Sequence, residues 1–432
     1  MTQRYDTYKD SGVQWLGEIP GHWGCVPFKS VFELGKGLSI TKGDLKDSGV
    51  KVISYGQIHS KNNKFSYVVP ELYRFVDETY LTTNPQSLAN KEDFLFADTS
   101  EDMVGSGNFV RIDNEETTFA GYHTIIARNK KVQSGNYLAY LLQSKKWKMQ
   151  IWVQVHGVKL FSITRSILNS TKLLLPPLSE QRSIVSFLDA KCGKIDEWVT
   201  KKQKEVEHLQ ELKQRVIADA VTRGLNPHVK MKTTNIPWLK EIPEHWEMSK
   251  ISSHFRQRNE KVSDKDYPAL SVSKQGVTPQ LDNVALSNAE GASRKLVKVG
   301  DYAVNSRSDR KGSCGVSKYE GSVSLITIVL EPFNLNGEYV DYLFRSNPWV
   351  EEFYRNGRGI VADLWTTNYQ MMKSMYMPVP PLSEQRSIVS YLDAKCAKID
   401  KLIANVTKEI ECIKEYKQRL ISDVVTGQIK VC

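Results

Sequence analysis

The sequence predicts an α+β chain: two globular mixed α/β domains separated by two long antiparallel coiled-coil helices, arranged as a pseudo-two-fold internal repeat. Three observations carry that reading. Residues 176–196 (PPLSEQRSIVSFLDAKCGKID) and 380–400 (PPLSEQRSIVSYLDAKCAKID) match at an offset of 204, differing only at Phe187/Tyr391 and Gly193/Ala397. A match of this quality at one fixed offset marks a structural unit used twice. A second match, at an offset of 223, pairs WLGEIPGHW at 15–23 with WLKEIPEHW at 238–246. Between each lead and its double proline lies a long insert, 24–175 and 247–379, and the two inserts share little sequence. The expected segments are therefore 1–175 (first insert domain with its lead), 176–226 (first spacer helix), 227–379 (second insert domain with its lead) and 380–432 (second spacer helix).

Composition sets the outer bounds. A chain of 432 residues is long enough for two to four domains with real cores. A 40% hydrophobic content and 42 aromatic residues exclude disorder as the main state. The first ten residues are polar, and no apolar run approaches the ~18 residues of a membrane helix, which argues against secretion and membrane spanning. The six cysteines, at 25, 192, 314, 396, 412 and 432, lack C-x-x-C spacing and fit free thiols in a reducing cytoplasm.

Within the inserts, short β-prone runs at 50–58 (VKVISYGQI), 124–127, 302–305 and 324–330 (SLITIVL) are separated by clusters of Gly, Asn, Asp and Ser, the pattern of strand-rich mixed domains. Their one echo pairs NYLAYLLQSKKW at 136–147 with EYVDYLFRSNPW at 338–349 and predicts a common helix late in each insert. The double prolines then stop the preceding element, Ser179 and Ser383 stand as N-caps, and Glu180 and Glu384 suit a helical first turn. No proline follows until Pro227 in the first copy and none in the second, which leaves helices of ~40 residues, or ~60 Å. A heptad seam runs through Ile184, Leu188, Ile195, Trp198, Leu209, Leu212 and Val216, and through Ile388, Leu392, Ile399, Leu402, Val406, Ile413, Tyr416 and Leu420. Polar breaks at Lys191, Lys202, Lys395 and Glu409 make it a short, imperfect coiled coil.

No catalytic motif is present: no phosphate loop, no H-E-x-x-H and no (D/N/S)-P-P-(Y/F) tetrad. Gly105-Ser106-Gly107 reads as a turn, His22 and His245 as packing residues of an I-P-x-H-W turn, and Glu101-Asp102 and Glu351-Glu352 as solvated faces.

The surplus of ten positive charges does not lie on the repeated helices, where 179–222 carries eight basic and eight acidic residues and 383–426 carries eight and seven. The inserts carry 19 basic against 14 acidic and 17 against 15. Positive charge beside divergent surfaces is what DNA reading requires, because phosphate contacts position while base-edge contacts specify. In the first insert the DNA-contact candidates are Lys36, Ser39, Thr41 and Lys42 of a Gly-rich loop, Tyr55 and Gln57, Thr99 and Ser100, and Lys159 in the loop His156-Gly157-Val158-Lys159. In the second they are Ser271, Ser273, Lys274 and Gln275, then Asn305, Arg307, Ser308, Arg310 and Lys311, and Arg358 between two glycines. Amides, hydroxyls and guanidinium groups are the side chains that pair with base edges, and Arg307 and Arg310 are the leading candidates for bidentate guanine contacts or phosphate clamps. Two near-identical helices with two dissimilar inserts imply one partner bound twice and two different ligand halves, hence an asymmetric, bipartite target.

With these motifs in view, the chain resembles the specificity subunit of type I restriction-modification systems. The resemblance covers essentially the whole length and rests on the W-L-G-E-I-P-x-H-W lead, both copies of P-P-L-S-E-Q-R-x-I-V-x-x-L-D, and the alternating order of insert and helix. It implies that each insert is a target recognition domain for double-stranded DNA. It also implies a non-catalytic chain whose helices act as spacer and dock two modification (methyltransferase) subunits, with restriction subunits joining the complex. Glu180, Gln181, Arg182, Glu384, Gln385 and Arg386 are then the docking candidates. S-adenosylmethionine, ATP and Mg²⁺ would sit on the partners, with no cofactor or metal in this chain. A coiled-coil adaptor gripping two different proteins is the rival reading.

Overall fold

The computed structural model describes residues 3–130, 133–157, 159–263, 265–280, 294–359 and 365–431. Val158 of the loop ending at Lys159, and Cys432, lie outside them. The fold is α+β with two long helices, Leu178–Arg223 (46 residues) and Leu382–Val425 (44 residues). The chain divides into two compact units, one of residues 1–201 with 409–432, the other of residues 202–408. Each unit thus joins an insert to the start of one long helix and the end of the other. The four-segment division of the sequence set the helices apart, whereas the insert cores are continuous with them. In the first unit Trp23, Tyr137 and Trp147 share a cluster with Ile184, Leu188, Leu420 and Val424. In the second, Trp246, Tyr339 and Trp349 share one with Ile217, Val221, Ile388 and Leu392.

The two inserts build the same main sheet from unlike sequences. In the first unit its antiparallel order is Phe109–Arg111, Phe94–Ala97, Thr124–Asn129, Phe32–Lys36. In the second the order is Cys314–Val316, Tyr302–Asn305, Thr327–Pro332, Phe255–Arg258. A second sheet accompanies each: Arg74–Val76, Val50–Ile53, Thr118–Ala120 and Leu88–Ala89 in one, Lys261–Val262, Arg294–Val297 and Gly321–Ser324 in the other. The ends of each insert are tied together by a two-stranded ribbon, Gly24–Pro27 with Lys172–Leu175 and Glu247–Lys250 with Tyr376–Val379.

Several local expectations change. The run 50–58 is a strand only to Ile53, because Ser54 and Gln57 form a capping box that starts a one-turn helix at Tyr55. The run 324–330 breaks at Leu325 and Ile326 between strands Gly321–Ser324 and Thr327–Pro332. Each late helix is two helices, Gly135–Gln143 with Lys145–Trp152 and Gly337–Arg345 with Asn347–Arg355. The breaks fall at Ser144 and Ser346, whose extended backbone ends one helix and opens the next, and Ser144 Oγ accepts from Trp147 N. Ser179 and Ser383 lie inside the first turns. The cap place belongs to Pro177 and Pro381, whose carbonyls accept the first helical bonds from Gln181 N (2.9 Å) and Gln385 N (3.0 Å), and proline's missing N–H is no loss ahead of a helix.

The seam also shifts. Burial follows a 4-3 spacing through Leu188, Cys192, Ile195, Val199, Lys202, Val206, Leu209, Lys213, Val216 and Ala220, and through the residues 204 later, Leu392 to Val424. Leu212, Leu402 and Tyr416, expected on it, are exposed. Lys191, Lys395 and Glu409 are exposed off the seam, whereas Lys202 lies on it. Lys417 Nζ contacts both Asp196 oxygens at 2.7 Å in the first unit, and Lys213 Nζ both Asp400 oxygens at 2.7 Å in the second. Repeat-equivalent residues therefore exchange partners, and in each unit the start of one helix runs against the end of the other, antiparallel. A charged seam position with one matched partner fixes register more than it adds stability.

The repeated motifs meet at a joint in each unit. His22 Nε2 (2.8 Å) and Trp23 Nε1 (3.1 Å) bond the carboxylate of Glu180, which also accepts from the Tyr5 hydroxyl. His245 Nε2 (2.8 Å) and Trp246 Nε1 (3.0 Å) do the same for Glu384. Gln181 accepts from Ser134 N and donates to Pro176 O, and Gln385 accepts from Asn336 N and donates to Pro380 O. The buried hydroxyls of Tyr137 and Tyr339 bridge the insert neck to a helix end, at Leu174 and Val425 carbonyls and at Pro378 and Val221 carbonyls. Four of the six docking candidates, Glu180, Gln181, Glu384 and Gln385, thus spend their side chains inside the chain. Only Arg182 and Arg386 face outward.

Candidate nucleic-acid interface

In the first unit, Lys36 ends a strand of the main sheet, and Lys36, Ser39, Thr41 and Lys42 are all exposed. Thr41 caps its own turn: its N and Oγ1 donate to Asp44 Oδ2 at 2.7 and 2.9 Å, which holds that carboxyl below its usual range. The loop is laid against the turn after strand Thr118–Ala120, with Leu38 N donating to Ala120 O (2.8 Å) and Gly37 N to Thr124 O (3.2 Å). That turn carries Tyr122 and His123, the latter at φ 55°, a conformation non-glycine residues rarely adopt.

Here Tyr55 and Thr99 come together. The Tyr55 ring lies edge-on to Tyr122 (5.6 Å), His123 (5.4 Å) and His59 (6.3 Å). His123 Nδ1 is 3.1 Å from Asp98 Oδ1, which also accepts from Thr99 Oγ1 at 2.8 Å. His59 Nε2 is 2.9 Å from the Thr99 carbonyl, which can only accept, so Nε2 carries the proton. Nδ1 then accepts from Asn108 Nδ2 (3.2 Å), and Asn108 Oδ1 accepts from Lys148 Nζ (2.6 Å). A directional chain of hydrogen bonds thus runs from the buried Lys148 through Asn108 and His59 to the Thr99 carbonyl, with the His59 ring edge-on to Tyr55.

Ser100 does not join that surface: it is 3% exposed and its Oγ donates to Asp102 O. The Gln57 side-chain oxygen is engaged by Ser54 N (3.1 Å), and Lys159 is exposed two residues before strand Phe161–Ser162, which pairs with Thr99–Ser100. Sequence reasoning missed Tyr122, His123, His59, Asn108 and Lys148. The legible signal was Gly121-Tyr122-His123, an aromatic pair on a glycine turn between two apolar strands.

Lys148 is buried, and burial pushes its amine down to about 8, with Asp102 opposing. The folded value lies below the unfolded one of roughly 10.4, so the native state sheds this proton first. Stability is expected to rise from about pH 8 to about pH 10.5, by on the order of 3 kcal/mol from this group, the penalty being fully present below that window. Thermal unfolding against pH measures the rise, and Lys148→Met should flatten it. An unchanged slope would remove Lys148 as its source.

In the second unit, Ser271 and Ser273 lie on strand Leu270–Ser273, and Lys274 and Gln275 form the two-residue turn to strand Gly276–Pro279. Asn305 ends a strand of the main sheet and leads into Arg307, Ser308, Arg310 and Lys311. Arg307 Nε donates to Asp309 Oδ1 (3.0 Å), and Lys311 Nζ to Glu351 Oε1 (3.1 Å), so both charges are partly offset by exposed, screened pairs. Arg310 is the more exposed guanidinium, 3.7 Å from Asp309 Oδ2. Thr366 brings the Arg358 loop alongside: it exchanges N–H···O bonds of 3.1 Å with Arg358 and bridges to Arg307. Thr366 therefore holds the backbone of Arg307 beside that of Arg358, and Arg310 lies in the turn that follows Arg307.

Among the described residues no group of three or more His, Cys, Asp or Glu is placed to hold a metal ion, and no helix is long and apolar enough to cross a membrane. The five described cysteines are free thiols, and burial raises Cys314 to about 11.

Residues 20–208 match the family model described as the type I restriction modification DNA specificity domain. A Methanocaldococcus jannaschii protein provisionally named the MjaX type I restriction enzyme specificity subunit is 26% identical, with 96% of each chain covered. The EcoKI specificity subunit of Escherichia coli K12 is 20% identical over 96% of this chain and 90% of its own. A chain from a structural study of complex assembly and conformational transition in a type I restriction-modification system superposes with a TM-score of 0.66 at 17% identity, covering 94% of this chain and 98% of that one, a likeness of fold. On its lead and helix motifs, its doubled joints and these matches, the chain is similar over nearly its whole length to type I restriction-modification DNA specificity subunits.

Proposed function

We propose that this non-catalytic chain reads an asymmetric, bipartite target in double-stranded DNA, one insert domain per half-site, and that the repeated helices dock two modification subunits, which restriction subunits join. The observation that carries the reading is the pairing of like joints with unlike inserts. Glu180 and Glu384 are held by the same His-Trp pair, and the sheets mounted on them have one topology but different sequences and most of the excess charge. A constant mount with a variable face is how one machine is given two different reading heads. Docking on this chain falls to exposed residues at equivalent places, Arg182 and Arg386 among them. S-adenosylmethionine, ATP and Mg²⁺ belong to the partner subunits in this reading.

The test is methylome sequencing of a host carrying the modification subunit with and without this chain. The expected result is methylation of one two-part sequence that disappears without the chain. Methylation that persists, or falls on a single continuous site, overturns the reading. An adaptor that binds only proteins would leave the pattern unchanged.

A further inference from the structure

One side chain grips two of the candidate reading segments in the second unit. Arg345, the last residue of helix Gly337–Arg345, donates from Nη1 to Lys274 O (3.0 Å) and from Nη2 to Cys314 O (2.7 Å). Its Nε donates to Asp341 Oδ1 (2.9 Å), which also accepts from the buried Tyr302 hydroxyl at 3.2 Å. Lys274 is in the hairpin turn, and Cys314 opens the strand that follows the loop carrying Arg307 and Arg310. That loop is closed at its base by Asn305 N donating to Ser313 O (2.9 Å), and Ser313 N donates to Arg310 O (3.0 Å). Holding Cys314 therefore holds the loop.

The backbone is cleared for this contact. A Cβ on Gly276, whose φ is +107°, would stand 3.1 Å from Arg345 Nη2, and one on Gly315 would stand 3.0 Å from the same atom. Both strands that flank the guanidinium carry glycine at the point of closest approach. Lys274, Gln275, Lys311 and Gly312 then line one cleft of about 930 Å³, which also receives Glu338 and Asp341. A planar guanidinium supplies several donors in one rigid fork, whereas a lysine ammonium is a single point donor on a flexible stem, so the three-way contact is specific to arginine.

We propose that Arg345 is a positioning residue that sets the Lys274-Gln275 turn and the loop bearing Arg307 and Arg310 in one register, so that the second unit presents them to duplex DNA as a single reading surface. The inference rests on the DNA-reading assignment above and adds the device that makes two segments act together. Base-edge contacts demand placement within about 0.5 Å, and two independently moving segments do not meet that demand.

The test uses the chain purified with its modification subunit. Methyl transfer is measured on the cognate duplex, on a duplex with one base changed in the half-site read by residues 247–379, and on one changed in the other half-site. Arg345→Met and Arg345→Lys are expected to lower discrimination at the first changed duplex about tenfold or more, the worth of one good base contact, with discrimination at the other half-site unchanged. A merely structural loss would reduce the amount of active complex and leave both ratios alone. Discrimination within about twofold of the parent in the variants overturns the proposal; Arg345→Lys, which keeps the charge beside Asp341, stands in should Arg345→Met not fold. Failure of the underlying DNA-reading assignment is distinguishable, since the parent complex would then discriminate at neither half-site.

Discussion

Exchange of residues 247–379 for the insert of another specificity subunit is expected to change one half of the methylated sequence completely and to leave the other half untouched. The insert is built for replacement. Its two ends run side by side as the ribbon of Glu247–Lys250 with Tyr376–Val379, so a donor needs only to close a similar neck. His245, Trp246 and Glu384 come from outside the exchanged segment and keep their mutual bonds. Contacts with the long helices do come from the insert, among them Asn336 N to Gln385 Oε1 at 2.9 Å, the Tyr339 hydroxyl to the Val221 carbonyl at 3.2 Å and the Tyr342 hydroxyl to Asp393 Oδ1 at 2.7 Å. A donor should therefore supply a capping residue and a tyrosine at those places, as the first insert does with Ser134 and Tyr137. Methylome sequencing reads the result. Change in both halves, or in neither, would end the one-domain-per-half-site reading.

Replacement of Trp246 by alanine is expected to cost roughly 3–5 kcal/mol, the range for removing a large buried aromatic side chain. Trp246 is 1% exposed, and its indole N–H donates to Glu384 at 3.0 Å. The variant loses the packing of the second core and one donor to the half-buried carboxylate at the helix start. In a unit of about 200 residues a loss of that size lowers the melting temperature by roughly 6–20 °C, at about 2–4 °C per kcal/mol. Trp246→Phe keeps most of the packing and removes only the donor, so it should fall between parent and alanine, about 1–3 kcal/mol down. Calorimetric melting checks both, and a Trp246→Ala variant within 1 kcal/mol of the parent would mean the joint is not what holds insert to helix.

The sequence alone determined the repeat, the long helices and the likeness to specificity subunits, because 19 of the 21 positions in 176–196 recur 204 residues later and helix periodicity is a local property. It also placed excess charge on the inserts and named Arg307 and Arg358, whose backbones the second unit holds side by side through Thr366. Tertiary structure decided what local pattern could not. Which apolar residues face the seam depends on the opposing helix, so Cys192, Val199 and Val206 are covered while Leu212, Leu402 and Tyr416 are not. Whether a polar residue faces a ligand or the chain depends on partners far along the sequence: Glu180 is claimed by His22, 158 residues away, and Ser100 turns inward to Asp102. The common topology of the inserts was illegible because many sequences of suitable volume and alternation fill the same sheet. The Tyr55, Tyr122 and His123 surface, and the grip of Arg345 on two segments, exist only because folding sets carbonyls, rings and glycines from separate strands within a few ångströms of one another.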